Sequence, residues 1–296
     1  MGDLLGHRRP SPGAALRALL AGPEPLLAPG AYDGLSARLV EQAGFDAVYM
    51  TGFGTTASLI GRPDVGLLTG SEMVDNARRI VSAVDVPVIA DADTGYGNAI
   101  NVLRTVQLFE QAGVAGLQLE DQVAPKKCGH MSGKAVISTA EMVGKLEAAV
   151  AARRDPDLVV IARTDAVAVS GIEDAVARGR AYAAAGADVL FVEAPTSEDD
   201  IARVAGELAG VAPLVFNWAE GGRTPPLPLS RIAELGFSLV IYPIGTLLAA
   251  TAGMRALLAT LRTDGVPPLA GLPAFDEFTD LVGLPEVQQL EQRFRG

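Results

Sequence analysis

One unit, repeated, limits the folds open to this chain. In EQAGFDAVYM, EQAGVAGLQLED and AAAGADVLFVEA a helical segment stops at a glycine, and a short apolar run follows that ends in polar residues. A glycine just past the last helical turn takes the left-handed conformation that ends a helix at little steric cost. The apolar run reads as a buried strand with a polar tip. Runs of this kind fall at residues 26–31, 47–52, 87–93, 115–121, 159–165, 189–195, 213–219 and 237–245. Helical patterns follow them at 36–43, 71–84, 99–112, 139–154, 172–185, 198–208, 230–235 and 246–264, and a short one at 14–20 precedes the first. Near-continuous apolar strands alternating with helices imply a parallel sheet covered on both faces. Eight such units predict an α/β fold, a closed (β/α)8 TIM-type barrel, as a single domain over residues 1–264. A doubly wound open sheet is the alternative, but no Gly-x-Gly-x-x-Gly fingerprint follows an early strand. Residues 265–296 carry prolines and then helical patterns at 275–282 and 285–294. That tail is too short for a domain and is expected as a helical arm packed on the barrel or on a neighbouring subunit.

Composition narrows the partners. With 296 residues, 49% of them apolar and 20% charged, the chain can bury a large core and is not a disordered one. A formal net charge of -11 argues against a broad nucleic-acid surface but leaves room for a small anionic substrate held by a few local cations. The single cysteine cannot make an intramolecular disulfide, so nothing points to an oxidising compartment. The first residues, with Asp3, Arg8 and Arg9, lack the apolar core of a signal peptide. Residues 237–254 carry no charge, but Pro243, Gly245 and Gly253 interrupt them, which fits a strand, a turn and a helix better than a membrane span. The expectation is a cytoplasmic protein that binds neither membrane nor nucleic acid.

The single cysteine, Cys128, and His130, one of two histidines, fall in EDQVAPKKCGHMSGK with Lys126, Lys127 and Lys134 around them. A thiol becomes a useful acid or nucleophile when nearby cations lower its pKa. Glycines on either side let the backbone bend closely round a ligand. Taken alone, the run also fits a basic surface loop around an inert cysteine.

The strand tips supply the second set of candidates. In a (β/α)8 barrel the active site lies at the C-terminal ends of the strands. Those ends read Thr51, Gly52 and Phe53; Asp91 and Asp93; Glu120 and Asp121; Arg163 and Asp165; Glu193; Asn217 and Glu220. Crowded carboxylates repel unless a cation joins them, and oxygen ligands suit a hard ion such as Mg²⁺. Asp91 and Asp93 are two apart and would share one face of a regular strand. Caps and salt bridges at the loop ends are the competing reading for any one of these residues.

These residues carry a resemblance. AYDGLSARLVEQAGFDAVYMTGFG, GRPDVG, VPVIADADTGYGNA, GLQLEDQVAPKKCGHMSGK, IARTDA, FVEAP and EGGRTP resemble the isocitrate lyase/phosphoenolpyruvate mutase superfamily over residues 10–262. Lys-Lys-Cys-Gly-His is similar to the loop of its lyase branch, which holds the 2-methylisocitrate and dimethylmalate lyases; carboxyvinyl-carboxyphosphonate phosphorylmutase keeps a similar loop. The resemblance implies a Mg²⁺-dependent carbon–carbon lyase, with Mn²⁺ as the alternative ion, acting on a di- or tricarboxylate through an enolate and releasing pyruvate or glyoxylate. It makes Asp91 and Asp93 the metal pair, with Glu120 supporting bound water. It gives Thr51, Gly52 and Phe53 to the α-keto acid end, Arg163 to a carboxylate or enolate oxygen, and Glu193 and Asn217 to the substrate's surroundings. Cys128 is implied as the general acid, with Lys126, Gly129 and His130 in the same closing loop. A homotetramer with exchanged C-terminal helices is implied as well.

Departures bear on the substrate. Aligned with 2-methylisocitrate lyases, LVIYPIGTLLAATAG puts Leu248, and AFDEFTDLVGL puts Phe275, where carboxylate-binding arginines are expected. Unpaired carboxylates are costly, so a smaller or more apolar diacid is expected, unless Arg223 compensates. Asp64 matches a position used for phosphoryl chemistry but reads as a turn cap. Trp218 and Tyr96 fit pocket lining and barrel packing equally, and His7 reads as solvated. The competing activities are a carbon–phosphorus mutase of the carboxyphosphonoenolpyruvate type and an oxaloacetate decarboxylase or hydrolase. A binding protein without catalysis would have lost the cysteine or the carboxylates, and both are present.

Overall fold

The computed structural model describes residues 11–129, 131, 133–266 and 271–295. Eight parallel strands form the barrel: β1 (Leu26–Ala31), β2 (Val48–Met50), β3 (Val88–Asp91), β4 (Gly116–Glu120), β5 (Val159–Thr164), β6 (Val189–Val192), β7 (Val215–Asn217) and β8 (Leu239–Tyr242). They run in the order β6-β5-β4-β3-β2-β1-β8-β7. A parallel bridge between Leu190 and Leu214 draws β6 to β7, with Leu190 N–H donating to the Pro213 carbonyl at 2.9 Å. The predicted (β/α)8 barrel is therefore the fold.

The period-two alternation of strands sorts two cores. Leu26, Ala28, Tyr49, Ile89, Val159, Ile161, Val189, Phe191, Val215, Leu239 and Ile241 fill the barrel interior. Helix α1 (Pro12–Leu20) adds Leu16 and Leu20 to the same cluster and so plugs the N-terminal end. The outward residues, Leu117 and Leu119 among them, pack beneath the helix ring. That ring comprises α2 (Gly34–Gln42), α3 (Gly52–Ile60), α4 (Gly70–Ala83), α5 (Ala99–Ala112), α6 (Thr139–Ala152), α7 (Ile172–Ala184), α8 (Glu198–Leu208), α9 (Leu229–Glu234) and α10 (Gly245–Asp264). The expected glycine stops hold: Gly44, Gly113 and Gly186 have φ of 87, 90 and 96°.

One helix departs from the sequence reading. No helical pattern is predicted between 43 and 71, yet Thr51-Gly52-Phe53-Gly54 opens α3, where Thr51 is the N-cap and its hydroxyl accepts from Gly54 N–H at 3.2 Å. The uncharged stretch before Met254 is indeed β8, a turn and the start of α10. Among the described residues no helix is long and apolar enough to cross a membrane. The tail forms α11 (Phe275–Leu281) and α12 (Leu284–Arg293), and neither these nor α10 buries a residue. His7 lies outside the described residues.

Candidate active site

The inner-facing series of each strand continues past the apolar layer and becomes polar at the C-terminal mouth. Two residues beyond Tyr49 comes Thr51, beyond Ile89 Asp91, beyond Gln118 Glu120, beyond Ile161 Arg163, beyond Phe191 Glu193 and beyond Val215 Asn217. Six strands thus bring six polar side chains to one place without any special local geometry. A cavity of about 230 Å³ opens there, lined by Tyr49, Thr51, Phe53, Asp64, Asp91, Lys126, Cys128, Gly129, Met131, Arg163, Glu193 and Asn217, with residues of the loops after β7 and β8. Gly52, Asp93 and Glu120 stand behind this lining, and His130 lies outside the described residues.

Arg163 is the hub. Its Nε donates to Asp165 Oδ2 at 3.0 Å and its Nη2 to Asp165 Oδ1 at 3.1 Å. Glu120 Oε2 lies 3.4 Å and Glu193 Oε2 3.9 Å from the same guanidinium. Burial disfavours its charge, but Asp165, Glu120 and Glu193 outweigh that and hold it protonated, with its pKa well above the ordinary value. Asn217 Nδ2 donates to Glu193 Oε2 at 3.2 Å, which fixes the carboxylate on the far wall.

Lys126 was expected to supply positive field to the thiol. Instead its ammonium is buried between Asp64 Oδ2 at 2.6 Å and Asp93 Oδ1 at 2.7 Å. Burial works against the charge, yet Asp93, Glu120, Asp64 and Asp91 together raise its pKa well above the ordinary value. Asp64 is therefore not a turn cap on the surface. It is buried, lines the cavity and closes an ion pair across 62 positions of sequence.

The candidate metal pair, Asp91 and Asp93, lies among buried, crowded carboxylates. Asp91 is pushed up to about 6, by burial first and by Asp93 second. Glu120 is raised well above its usual range by burial, against the pull of Arg163 and Lys126, and its Oε1 takes no hydrogen bond among the described residues. Gly52 presses on Asp91 so closely that a β-carbon there would lie 2.6 Å from Oδ2. Asp93 has φ of 48°, a strained value for a non-glycine residue, held by Tyr96 O–H donating to its Oδ2 at 3.1 Å. Yet among the described residues no three His, Cys, Asp or Glu side chains gather as a direct ligand cluster. Such a site fits an ion that keeps part of its water shell, as Mg²⁺ does.

Other candidates take different places. Asp165 orients Arg163, and Asp121 points outward beneath α7, so neither lines the cavity. Glu220 lines it; Trp218 donates its indole N–H to the Leu227 carbonyl at 3.0 Å and packs outside it. Leu248 and Phe275 are 45% and 86% exposed and stand away from this chain's cavity, as does exposed Arg223. Among its described lining residues the cations are Lys126 and Arg163.

The chain is similar to known proteins over most of its length. The family model for phosphoenolpyruvate phosphomutase matches residues 16–262. The chain is 48% identical to the 2,3-dimethylmalate lyase of Eubacterium barkeri, over 95% of this chain and 97% of that one. Oxaloacetate acetylhydrolase, solved with the inhibitor 3,3-difluorooxalacetate, superposes with a TM-score of 0.90 at 40% identity, covering 95% of this chain and 96% of that one. Phosphonopyruvate hydrolase, solved with oxalate and Mg²⁺, gives 0.88 at 36% identity, covering 96% and 99%.

Proposed function

Because the chain belongs to the phosphoenolpyruvate phosphomutase family, we propose that it is a Mg²⁺-dependent carbon–carbon lyase. Its substrate on this reading is a small 2-hydroxy or 2-oxo dicarboxylate, cleaved through an enolate with release of pyruvate or glyoxylate. The observation that carries this is the placement of Arg163, Asp91 and Cys128 on the wall of one cavity of about 230 Å³. The relative named as a lyase supports the lyase chemistry, and the hydrolase solved with oxalate and Mg²⁺ supports a carboxylate ligand and that ion.

Asp91 and Asp93 would hold the ion, with Glu120 accepting from its water. When bound, the ion supplies positive charge that stabilises an enolate oxygen. Arg163 binds a substrate carboxylate or that same oxygen and is already oriented by Asp165. The start of α3 offers backbone N–H groups of Gly52 and Phe53 that have no partner within the helix, suited to the α-keto acid end. Glu193 and Asn217 set the opposite wall. For a 2-hydroxy acid, the hydroxyl loses its proton to solvent as its oxygen becomes the carbonyl of the released 2-oxo acid. The electron pair of the breaking carbon–carbon bond passes to the departing fragment, and Cys128 protonates the carbon that receives it. Lys126 keeps Asp64 and Asp93 together, and His130 is assigned to the same loop.

Two features refine the reading. Among the described lining residues Lys126 is shared by two aspartates and Arg163 is the other cation, which favours a diacid over a tricarboxylate. Asp64 is engaged by Lys126 rather than presented to a phosphoryl group, which favours the lyase over the carbon–phosphorus mutase. The unburied α10 to α12, with Leu248, Met254, Leu258, Phe275 and Phe278 exposed, supports a homotetramer in which this arm packs on another copy.

Proton NMR with Mg²⁺ and a panel of acids tests the assignment. The panel holds 2,3-dimethylmalate, 2-methylisocitrate, isocitrate, citramalate, oxaloacetate and phosphonopyruvate. Mg²⁺-dependent release of a 2-oxo acid from a dicarboxylate, lost with EDTA and reduced about 10²–10⁴-fold in Cys128→Ser, is the expected result. Turnover of phosphonopyruvate alone moves the protein to the phosphorus branch, and oxaloacetate alone to the hydrolases or decarboxylases.

A further inference from the structure

Lys134 stands at the far end of the loop that carries Cys128, and the chemistry above gives it no task. Its side chain is 1% exposed. Its ammonium donates to the carbonyl of Gly129 and to Asp165 Oδ1, the latter at 2.7 Å. Asp165 is wholly buried, and the same carboxylate holds Arg163 by two hydrogen bonds. Gly129 in turn lies so close to Arg163 and Glu193 that a β-carbon there would run into both.

Burying an ammonium is costly unless a carboxylate neutralises it, and Asp165 does so here. That leaves one carboxylate serving two cations, one from the loop and one from β5. A second donor of Lys134 reaches back to the loop itself, to the carbonyl of the residue next to Cys128. A lysine that only anchored the loop's end could be satisfied by surface groups. This one is directed at the carboxylate that orients the arginine.

We infer that Lys134 is a positioning residue, tying the Cys128 loop to the carboxylate that sets Arg163, so that the proton donor and the substrate-binding arginine are placed by one ammonium. Its kinetic consequence rests on the lyase reading; the tie itself does not. Loss of the tie frees the Gly129 segment and leaves Asp165 with Arg163 alone, so both ends of the cavity loosen together.

Lys134→Met removes the charge, and Lys134→Arg keeps it. In the methionine variant, kcat/KM falls about 10–100-fold, as when a partner behind a site residue is removed. KM rises as kcat falls, whereas a purely structural loss lowers the active fraction and leaves KM unchanged. The arginine variant recovers most of both. A second readout needs no substrate: Cys128 is the single cysteine, so the iodoacetamide rate of the folded protein reports how firmly its loop is held. That rate rises about 10-fold or more in Lys134→Met, the scale of one lost charged hydrogen bond, and returns in Lys134→Arg. Should the methionine variant not fold, Lys134→Gln carries the same comparison. Wild-type alkylation and wild-type KM in the uncharged variant overturn the inference. If the wild-type protein turns over none of the acids, the lyase reading fails, and the alkylation rates still decide the tie.

Discussion

Glu120 and Asp121 are neighbours in the chain, carry the same charge and are both buried, yet the fold treats them oppositely. Asp121 continues the outward series of β4 after Leu117 and Leu119, beneath α7. Its carboxylate accepts from Thr164 O–H at 2.7 Å, Asp165 N–H at 2.9 Å, Tyr182 O–H at 2.7 Å and Arg178 at 3.1 Å. Glu120 continues the inward series. It meets Arg163 at 3.4 Å on one oxygen, and the other takes no hydrogen bond among the described residues. A buried carboxylate whose bonds the fold supplies belongs to the fold. One that keeps an oxygen without a hydrogen bond among the described residues, beside the guanidinium of Arg163, is the better candidate for the site.

The comparison breaks first at Asp121. Replacing it with asparagine keeps the shape but removes the charge facing Arg178 and turns an acceptor into a donor among donors. Breaking a buried ion pair of this kind costs about 3–5 kcal/mol. The unfolding midpoint of Asp121→Asn in a denaturant titration is expected to drop accordingly, with KM of the remaining folded enzyme close to wild type. An unchanged midpoint would falsify the view that this carboxylate is structural.

The same contrast marks what could be read in the chain alone. The barrel was legible because its unit repeats, and because alanine–glycine stops specify a left-handed residue that Gly44, Gly113 and Gly186 all adopt. The polar mouth was legible as a set of strand tips. Which tips face inward was also encoded, through the alternation that leads from Tyr49 to Thr51 and from Ile161 to Arg163, but the tips alone do not separate Glu120 from Asp121. Helix α3 was hidden by its own glycines. Gly52 is required beside Asp91, and a β-carbon on Gly54 would strike Thr51, so residues that disfavour helices stand at a helix start for tertiary reasons. The partnership of Lys126 with Asp64 had no local signal, since the two lie 62 positions apart. The resemblance marked Asp64 as a site position, and only the fold shows what holds it.

Glu120→Gln sharpens the contrast from the other side. The lyase reading assigns this carboxylate to the ion's water, so activity is expected to fall about 10–100-fold, the usual cost of a lost partner behind a metal ligand. Stability moves the other way from Asp121→Asn. Burial raises the folded pKa of Glu120, so the folded chain holds a proton there more tightly than the unfolded one. That term therefore destabilises wild type progressively as pH climbs from the ordinary carboxylate range toward the folded value, and is absent in the glutamine variant. Unfolding titrations in EDTA at several pH values check this. Wild type should lose ground to Glu120→Gln as pH rises, and the reverse slope would sink the assignment.

Tyr182→Phe asks the smallest question, whether Asp121 is held by its whole set of donors or by its arginine alone. The tyrosine is fully buried on α7, and its hydroxyl donates to Asp121 Oδ2 while accepting from Arg178 at 3.2 Å. Phenylalanine keeps the ring and its packing, so only the hydroxyl is lost. Thr164, Asp165 N–H and Arg178 remain on the carboxylate, so no charge is left bare. A neutral hydrogen bond lost under those conditions costs about 1 kcal/mol. The denaturation midpoint should fall by that modest amount and the kinetics should not move. A loss as large as that of Asp121→Asn would mean that the network stands or falls as one unit, with the hydroxyl fixing the geometry of the ion pair.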